Sequence, residues 1–331
     1  MTLRVAVLEG GRSLERQVSL RSGARVKDAL ERLGHEIVAI DAGPDLVTRL
    51  TDSRPDVAFI ALHGRDGEDG TVQELLDVLG VPYTGSGVSA CVRASDKVLA
   101  KHAMRDRGIP TPDFYALNET ALETLGAAQA LPAIEQRLAF PIVVKPARGG
   151  SALGIKFAAS PADVPTALVS AFSYDRKVLL ERHIHGRELA VSLLADGDPA
   201  GPPVALPVVE AMPETSNEGE EEFYDFEARY EIGRTRFECP AALDAETAAR
   251  AAAIALDAWD LFGCAGFARV DMILDRTTGE LQVLELNPVP GLTETSLLPQ
   301  AVEAAGVSFD ELVERVLAAV PRPATAASTL I

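Results

Sequence analysis

Three oxygen-bearing side chains in the last quarter of the sequence could share one cation. Asp271 stands inside the apolar run Arg269-Val-Asp-Met-Ile-Leu274, and Glu285 and Asn287 stand two apart in Val283-Leu-Glu-Leu-Asn287. Residues i and i+2 of a strand point to the same side, so pairing of the two runs would bring the three groups together. A carboxylate-rich set of hard oxygens suits Mg²⁺, which keeps positions for water and substrate phosphates. The competing interpretation is a solvated strand face. Acids within apolar strands are costly to bury unpaired, which favours the metal. Arg269 precedes Asp271 by two on the same face, where it would meet phosphate oxygens or a developing oxyanion.

Phosphates require cations and closely approaching backbone. Lys145 ends the run Phe140-Pro-Ile-Val-Val-Lys145, just before Arg148-Gly-Gly-Ser-Ala-Leu-Gly154. A glycine-rich loop lets N–H groups come close to a phosphate. Taken alone it could equally be a plain hairpin; the lysine ending an apolar strand decides for phosphate. Neither Gly-xxxx-Gly-Lys-Ser/Thr nor a Gly-x-Gly-x-x-Gly turn after the first strand is present. Lys97 is a second cation, at the start of a helix expected from Ser95 to Arg107 and closed by Gly108-Ile-Pro110.

The elements that would position these groups follow from hydrophobic periodicity. Strands are expected at Arg4–Leu8, Glu36–Ile40 and Val57–Leu62, with a helix from Glu15 to Gly34 between the first two. Such alternation argues a parallel sheet with crossover helices, and ligands of such sheets sit beyond the carboxyl ends of strands. Gly10-Gly11 and His63-Gly64 lie there. Further strands are expected at Phe140–Lys145, Gly154–Phe157, Val178–Arg182, Glu188–Leu194, Val204–Val209, Gly266–Leu274 and Leu281–Leu286. Helices are expected over Ala245–Leu261 and Phe309–Val320. Residues 212–236 form an acidic, aromatic stretch without periodicity, longer than ordinary connections, and are expected to be a loop that closes as a lid. The α/β chain thus divides into units at 1–95, 96–185 and 186–320, with a loose tail at 321–331.

Composition narrows the partners. The 331 residues are too many for one ordinary core, and 47% apolar with 24% charged residues describes a folded chain. Thirty-one basic against 49 acidic residues give a net charge of −18, which disfavours nucleic acid and anionic membranes. Cys91, Cys239 and Cys264 are scattered and odd in number, which excludes a disulfide framework and fits the cytoplasm. No apolar segment is long enough for a membrane span or a signal-peptide core.

The order of these segments resembles the D-alanine–D-alanine ligases of the ATP-grasp superfamily from about Val5 to Val316. The matching stretches are Gly10-Gly-Arg-Ser-Leu-Glu15-Arg-Gln-Val-Ser-Leu-Arg-Ser-Gly23, Leu62-His63-Gly-Arg-Asp-Gly-Glu-Asp-Gly70 and Pro82-Tyr-Thr-Gly-Ser86. Others are Asp96-Lys97, Lys145 to Gly154, Glu181 to Glu188, Tyr224-Asp-Phe-Glu-Ala-Arg-Tyr230, Arg269-Val-Asp271 and Glu285-Leu-Asn287-Pro-Val-Pro-Gly291.

The resemblance implies a three-domain ATP-grasp fold with an N-terminal parallel α/β domain, and an ATP-dependent enzyme serving peptidoglycan precursor synthesis. It implies a D-alanyl phosphate intermediate, captured by the amine of a second D-alanine. Lys97, Lys145, Ser151, Glu181 and Glu188 are then expected to hold ATP, and Asp271, Glu285 and Asn287 to hold Mg²⁺, for which Mn²⁺ could substitute. Arg269 would meet the transferring phosphate and the oxyanion. Glu15 would take the ammonium of the first D-alanine, with His63 in the same site. Ser151 and Tyr230 would join Glu15 in a hydrogen-bonded trio, and Arg229 would reach the phosphates. Ser296, with the backbone of Gly291 and Leu297, would seat the second carboxylate at a helix N-terminus. The family also implies a homodimer. The sequence departs from the family pattern at Ala152, Arg229 and Pro288. A ligase with another acceptor (D-lactate, D-serine or another amino acid) and a non-catalytic nucleotide-binding module are the alternatives; the latter predicts lost metal ligands or a lost Arg269.

Overall fold

In the computed structural model the described residues are 2–197, 201–213 and 234–321. The chain opens with β1 (Arg4–Glu9), α1 (Arg16–Arg32), β2 (Glu36–Asp41), α2 (Leu46–Ser53) and β3 (Val57–Ile60). The three strands form a parallel sheet in the order β2–β1–β3, as the strand–helix alternation predicts. Helix α1 buries Val18, Ser22, Val26, Ala29 and Leu30 against it, a stripe at helical spacing. The chain then reverses at Gly34 in the left-handed region (φ 78°).

Then follow α3 (Thr71–Leu79), α4 (Val88–Ser95) and α5 (Lys97–Arg107). Asp96 takes an extended conformation and accepts from the amides of Val98 and Leu99, so the helix expected from Ser95 starts instead behind an aspartate cap. Next come β4 (Phe114–Asn118), α6 (Glu119–Thr124), α7 (Leu131–Leu138), β5 (Ile142–Pro146), β6 (Lys156–Ala158), α8 (Val164–Phe172) and β7 (Lys177–Arg182). They build a four-stranded antiparallel sheet, β4–β7–β5–β6, backed by α7 and α8.

The remainder comprises β8 (Gly186–Ala195), β9 (Pro203–Ala205), β10 (Val209–Pro213), β11 (Thr235–Glu238), α9 (Ala245–Phe262), β12 (Phe267–Asp275), β13 (Leu281–Asn287), α10 (Leu297–Ala304) and α11 (Phe309–Ala318). Its strands form a six-stranded sheet in the order β11–β10–β8–β12–β13, with β9 on β8. The single strand expected over Val204–Val209 is two, β9 and the start of β10. The loop expected over 212–236 is shorter than that, because Met212 pairs with Arg236 and Pro213 with Thr235 in the β10–β11 ladder. Its interior, with Arg229 and Tyr230, lies outside the described residues.

One face of the last sheet packs on α9 and α5 through Val191, Ala268, Val270, Met272, Leu281, Val283 and Leu286. The other face carries Ala190 and Leu194 into a core shared with β1, β3, α1, α10 and α11. Among the described residues no helix is long and apolar enough to cross a membrane.

Candidate active site

Strands β12 and β13 pair antiparallel, with Asp271 opposite Glu285 and Arg269 opposite Asn287. The next pair is Met272 with Val283, so Leu284 is an extra residue on β13. This shift has a consequence for the site. Strict alternation from Leu281 and Val283, both in the core, would send residues 285 and 287 to the core as well. The inserted residue turns Glu285 and Asn287 to the opposite face and lets Leu286 return to the core. Asp271 and Arg269 share that face, as the i, i+2 spacing predicts. The Arg269 Nε and Nη2 groups donate to Asp271 Oδ1 and Oδ2 at 2.6 and 2.7 Å, and Asn287 Nδ2 donates to Asp271 Oδ2 at 3.1 Å.

Two clefts meet at this face. The first, about 420 Å³, is lined by Lys97, Lys145, Glu181, Glu188, Asp271 and Glu285, with residues 182–187 along one side. The second, about 490 Å³, is lined by Glu15, Glu68, Lys97, Gly150, Glu285 and Asn287. Lys97 and Glu285 belong to both, and Lys97 Nζ lies 3.1 Å from Glu285 Oε2. The same ammonium donates to Gly149 O at 2.7 Å, tying α5 to the glycine-rich loop.

Lys145 Nζ lies 2.6 Å from Glu181 Oε1, and Lys101 Nζ lies 2.6 Å from Glu181 Oε2. Lys101 is fully buried and also donates to Thr111 Oγ1, which donates to Val283 O at 2.7 Å. Burial lowers the Lys101 ammonium to about 8 against the pull of Glu181. Burial alone would raise Glu181, yet the two ammoniums outweigh it and hold its carboxyl below the usual range. The sequence reading missed Lys101. Its only signal is the i+4 spacing from Lys97, which a solvated helix face gives equally often.

Glu15 precedes α1 and is 5% exposed. Ser151 Oγ donates to Glu15 Oε1, so the glycine-rich loop folds over this carboxylate. Burial, with the neighbouring charge of Glu68 behind it, raises Glu15 to about 7. His63 is buried beside this cleft, with Nδ1 3.5 Å from Glu68 Oε1. Glu68, also absent from the expected set, is thus the acid that faces both Glu15 and His63.

Ser296 caps α10, but its Oγ accepts from Thr293 N at 3.1 Å rather than from the helix's own amides. Gly291 packs so closely that a Cβ would fall 2.6 Å from Ser296 Oγ. Leu297 is the first residue of the helix and borders the first cleft. Of the expected site residues, Glu15, Lys97, Lys145, Glu181, Glu188, Asp271, Glu285, Asn287 and Leu297 line the two clefts. Ser151, Arg269 and His63 stand behind them, against Glu15, Asp271 and Glu68. Gly291 and Ser296 line neither cleft but pack on one another just before Leu297; Arg229 and Tyr230 lie outside the described residues.

A parallel α/β unit followed by two antiparallel sheets with a cation-lined cleft between them is the ATP-grasp architecture. The family model described as "D-ala D-ala ligase C-terminus" matches residues 103–318, and "D-ala D-ala ligase N-terminus" matches residues 45–86. A D-alanine–D-alanine ligase of Syntrophotalea carbinolica is 44% identical over 315 residues, 95% of each chain. The crystal structure of a D-alanine–D-alanine ligase from Bacillus anthracis superposes with a TM-score of 0.79 at 33% identity, covering 96% of each chain. A second structure of that enzyme, complexed with ATP, gives 0.76 at 31% identity over 96% of each chain. The chain belongs to the D-alanine–D-alanine ligase family of ATP-dependent ligases.

Proposed function

We propose that this chain joins two D-alanine molecules by way of D-alanyl phosphate, with ATP in the first cleft, the first D-alanine in the second, and the second D-alanine at the start of α10, where Leu297 borders the first cleft. The observation that carries this is the junction of the clefts at Lys97 and Glu285, which puts the phosphate end of one against the amino-acid end of the other. A carboxylate oxygen of the first D-alanine attacks the γ-phosphorus, the bond to the β,γ-bridging oxygen breaks, and ADP leaves. The amine of the second D-alanine then adds to the acyl carbon. Phosphate departs from the tetrahedral intermediate, and the amine loses its proton.

Each residue has a task that its position supports. Ionised Glu15 pairs with the ammonium of the first D-alanine, and Ser151 keeps that carboxylate under the glycine-rich loop. Lys97 and Lys145 oppose phosphate charge, which is most of what phosphoryl transfer asks of a protein. Glu181 and Glu188 border the nucleotide, and Arg269 faces charge on the transferring phosphoryl group and the oxyanion. The hydroxyl of Ser296 and the amides at the start of α10 receive the second carboxylate. The oxygens of Asp271, Glu285 and Asn287 fit Mg²⁺: two carboxylates and one amide oxygen on one strand face, with room for phosphate beside them. Bound there, the ion neutralises phosphate charge. The division into units at 1–95, 96–185 and 186–320, a homodimer and a cytoplasmic site of action belong to the same proposal.

The test is phosphate release by the full chain with ATP, Mg²⁺ and a panel of D-alanine, L-alanine, D-serine and D-lactate, with products identified by mass. D-Alanyl-D-alanine formed in step with phosphate is expected. Phosphate release that needs D-lactate or D-serine for a product would replace the acceptor, and none with any of them would remove the ligase reading.

A further inference from the structure

Helix α1 begins beside Glu15 and, two turns on, carries Ser22 and Arg25, three apart on one face. Neither has an assigned task. Both reach Leu292, in the connection between β13 and α10. Leu292 N donates to Ser22 Oγ at 3.2 Å, and Arg25 Nη1 donates to Leu292 O at 2.7 Å. Arg25 is itself steadied, with its guanidinium carbon 4.1 Å from the centre of the Phe309 ring and its Nε 3.8 Å from Glu294 Oε1. One residue of the connection is therefore held by both of its backbone polar groups, from a helix some 270 residues earlier in the chain.

Ser22 makes a second contact. Its Oγ, wholly buried, lies 2.9 Å from His63 Nε2. Glu68 stands on the other side of the ring, 3.5 Å from Nδ1. The tautomer that satisfies both sides carries its proton on Nδ1 and accepts from Ser22 at Nε2. The chain then runs from Leu292 N–H to Ser22, from the Ser22 hydroxyl to His63, and from His63 Nδ1–H toward Glu68. Glu68 is the acid whose charge raises Glu15. Thr293, bonded to Ser296, follows Leu292 directly, and Gly291 precedes it with no room for a Cβ. Moving Leu292 would move all of them.

We propose that Ser22 and Arg25 are positioning residues for the acceptor amino acid: by holding Leu292 they fix the Gly291–Leu297 turn against which the acceptor carboxylate lies, and Ser22 ties that turn to His63. This rests on the two-substrate ligase reading above. The serine acts as a strut between the two amino-acid subsites. It touches neither substrate.

The experiment is steady-state kinetics of Ser22→Ala, Arg25→Met and Arg25→Lys, with the rate against D-alanine fitted to two sequential sites. The KM of the second D-alanine should rise about tenfold in Ser22→Ala and Arg25→Met. The constants for ATP and the first D-alanine should stay within about twofold of wild type. Arg25→Lys, which retains one donor toward Leu292 O, should recover part of the loss. Arg25 is only half buried, so its variants carry the test if Ser22→Ala does not fold. A lower melting temperature with an unchanged second KM would overturn the proposal, as would equal increases in all three constants. Wild-type enzyme that makes no dipeptide would instead overturn the function on which it rests.

Discussion

Arg269 closes on Asp271 with both arms of its guanidinium, Nε to Oδ1 at 2.6 Å and Nη2 to Oδ2 at 2.7 Å, although the two residues are only two apart on one strand. Both are about 8% exposed. A bidentate pair in that setting is a neutral unit, and loss of either partner takes the opposing charge away from a buried group. The proposed metal ligand and the proposed phosphate-binding group thus hold one another in place. A divalent ion and a polyphosphate arriving together would share the pair, each adding the charge that the other partner would otherwise lack.

Asp271→Asn should lower turnover by at least a hundredfold and raise the Mg²⁺ concentration needed for half-maximal rate. The change removes charge from the ion's site and also releases Arg269. Arg269→Met should in addition destabilise the fold by about 3–5 kcal/mol, read by urea unfolding, because the buried Asp271 loses its bidentate guanidinium partner. Wild-type turnover of Asp271→Asn at low millimolar Mg²⁺ would remove Asp271 from the metal site.

The proposed catalytic face was partly legible from spacing alone. The i, i+2 pairs at 269/271 and 285/287 do share a side, because strand geometry fixes that locally. The extra residue Leu284 was not legible, since a register shift depends on which partner strand arrives. Lys101 and Glu68 were missed for a related reason. A lysine in a helix and an acid in a turn read as solvated until tertiary packing encloses them. Aspartate 96 was readable as a cap, and the expected helix start at Ser95 overlooked it. The parallel sheet followed from strand–helix alternation, whereas α3, α8 and α10 carry too short a periodic stretch to stand out. The ladder that shortens 212–236 was hidden because Met212, Pro213, Thr235 and Arg236 have no strand pattern of their own.

Lys101→Met should raise the KM for ATP severalfold, and Lys101→Arg should raise it less. With Lys101 charged, the group of Lys101, Lys145 and Glu181 carries one net positive charge beside the nucleotide cleft. Its ammonium sits at about 8 because burial opposes the charge. As pH rises through that value the net charge falls to zero, so the wild-type KM for ATP should climb above pH 8. The KM of Lys101→Met should already be high and should lack that inflection. Parallel pH profiles for the two proteins would assign the rise to another group.

Gly154→Ala should destabilise the protein and weaken ATP binding together. Gly154 has φ 76°, and a Cβ there would lie 2.6 Å from the Tyr174 ring and 2.8 Å from Pro146. Strain in the left-handed region costs of order 1 kcal/mol or more, and the contacts add to it. A shift of the loop that relieved the strain would disturb the bond that its Gly149 O accepts from the Lys97 ammonium. A melting temperature and a KM for ATP both equal to wild type would show that the loop yields without consequence.

Glu15 should impose opposite pH trends on stability and on substrate use. Its carboxyl, ordinarily near 4.5, is raised to about 7, chiefly by burial. Between these values the folded protein binds a proton that the unfolded chain has lost, so this group's contribution to stability falls as pH rises from about 4.5 to 7. Below that window both states are protonated and the group costs nothing. Above it both are ionised and the full cost of burying the charge is present. Glu15→Gln stays neutral throughout and retains an acceptor for Ser151. Its stability relative to wild type should therefore grow by about 2 kcal/mol between pH 5.5 and pH 8, measured by urea unfolding. Catalysis should run the other way. The proposed partner of the substrate ammonium is the ionised carboxylate, so wild-type kcat/KM for the first D-alanine should rise about tenfold per pH unit below 7 and level off above it. The Gln variant should be slower at every pH and should lack that acid limb. A variant that keeps the limb would locate the titrating group elsewhere, and one that keeps wild-type kcat/KM would take Glu15 out of the substrate site.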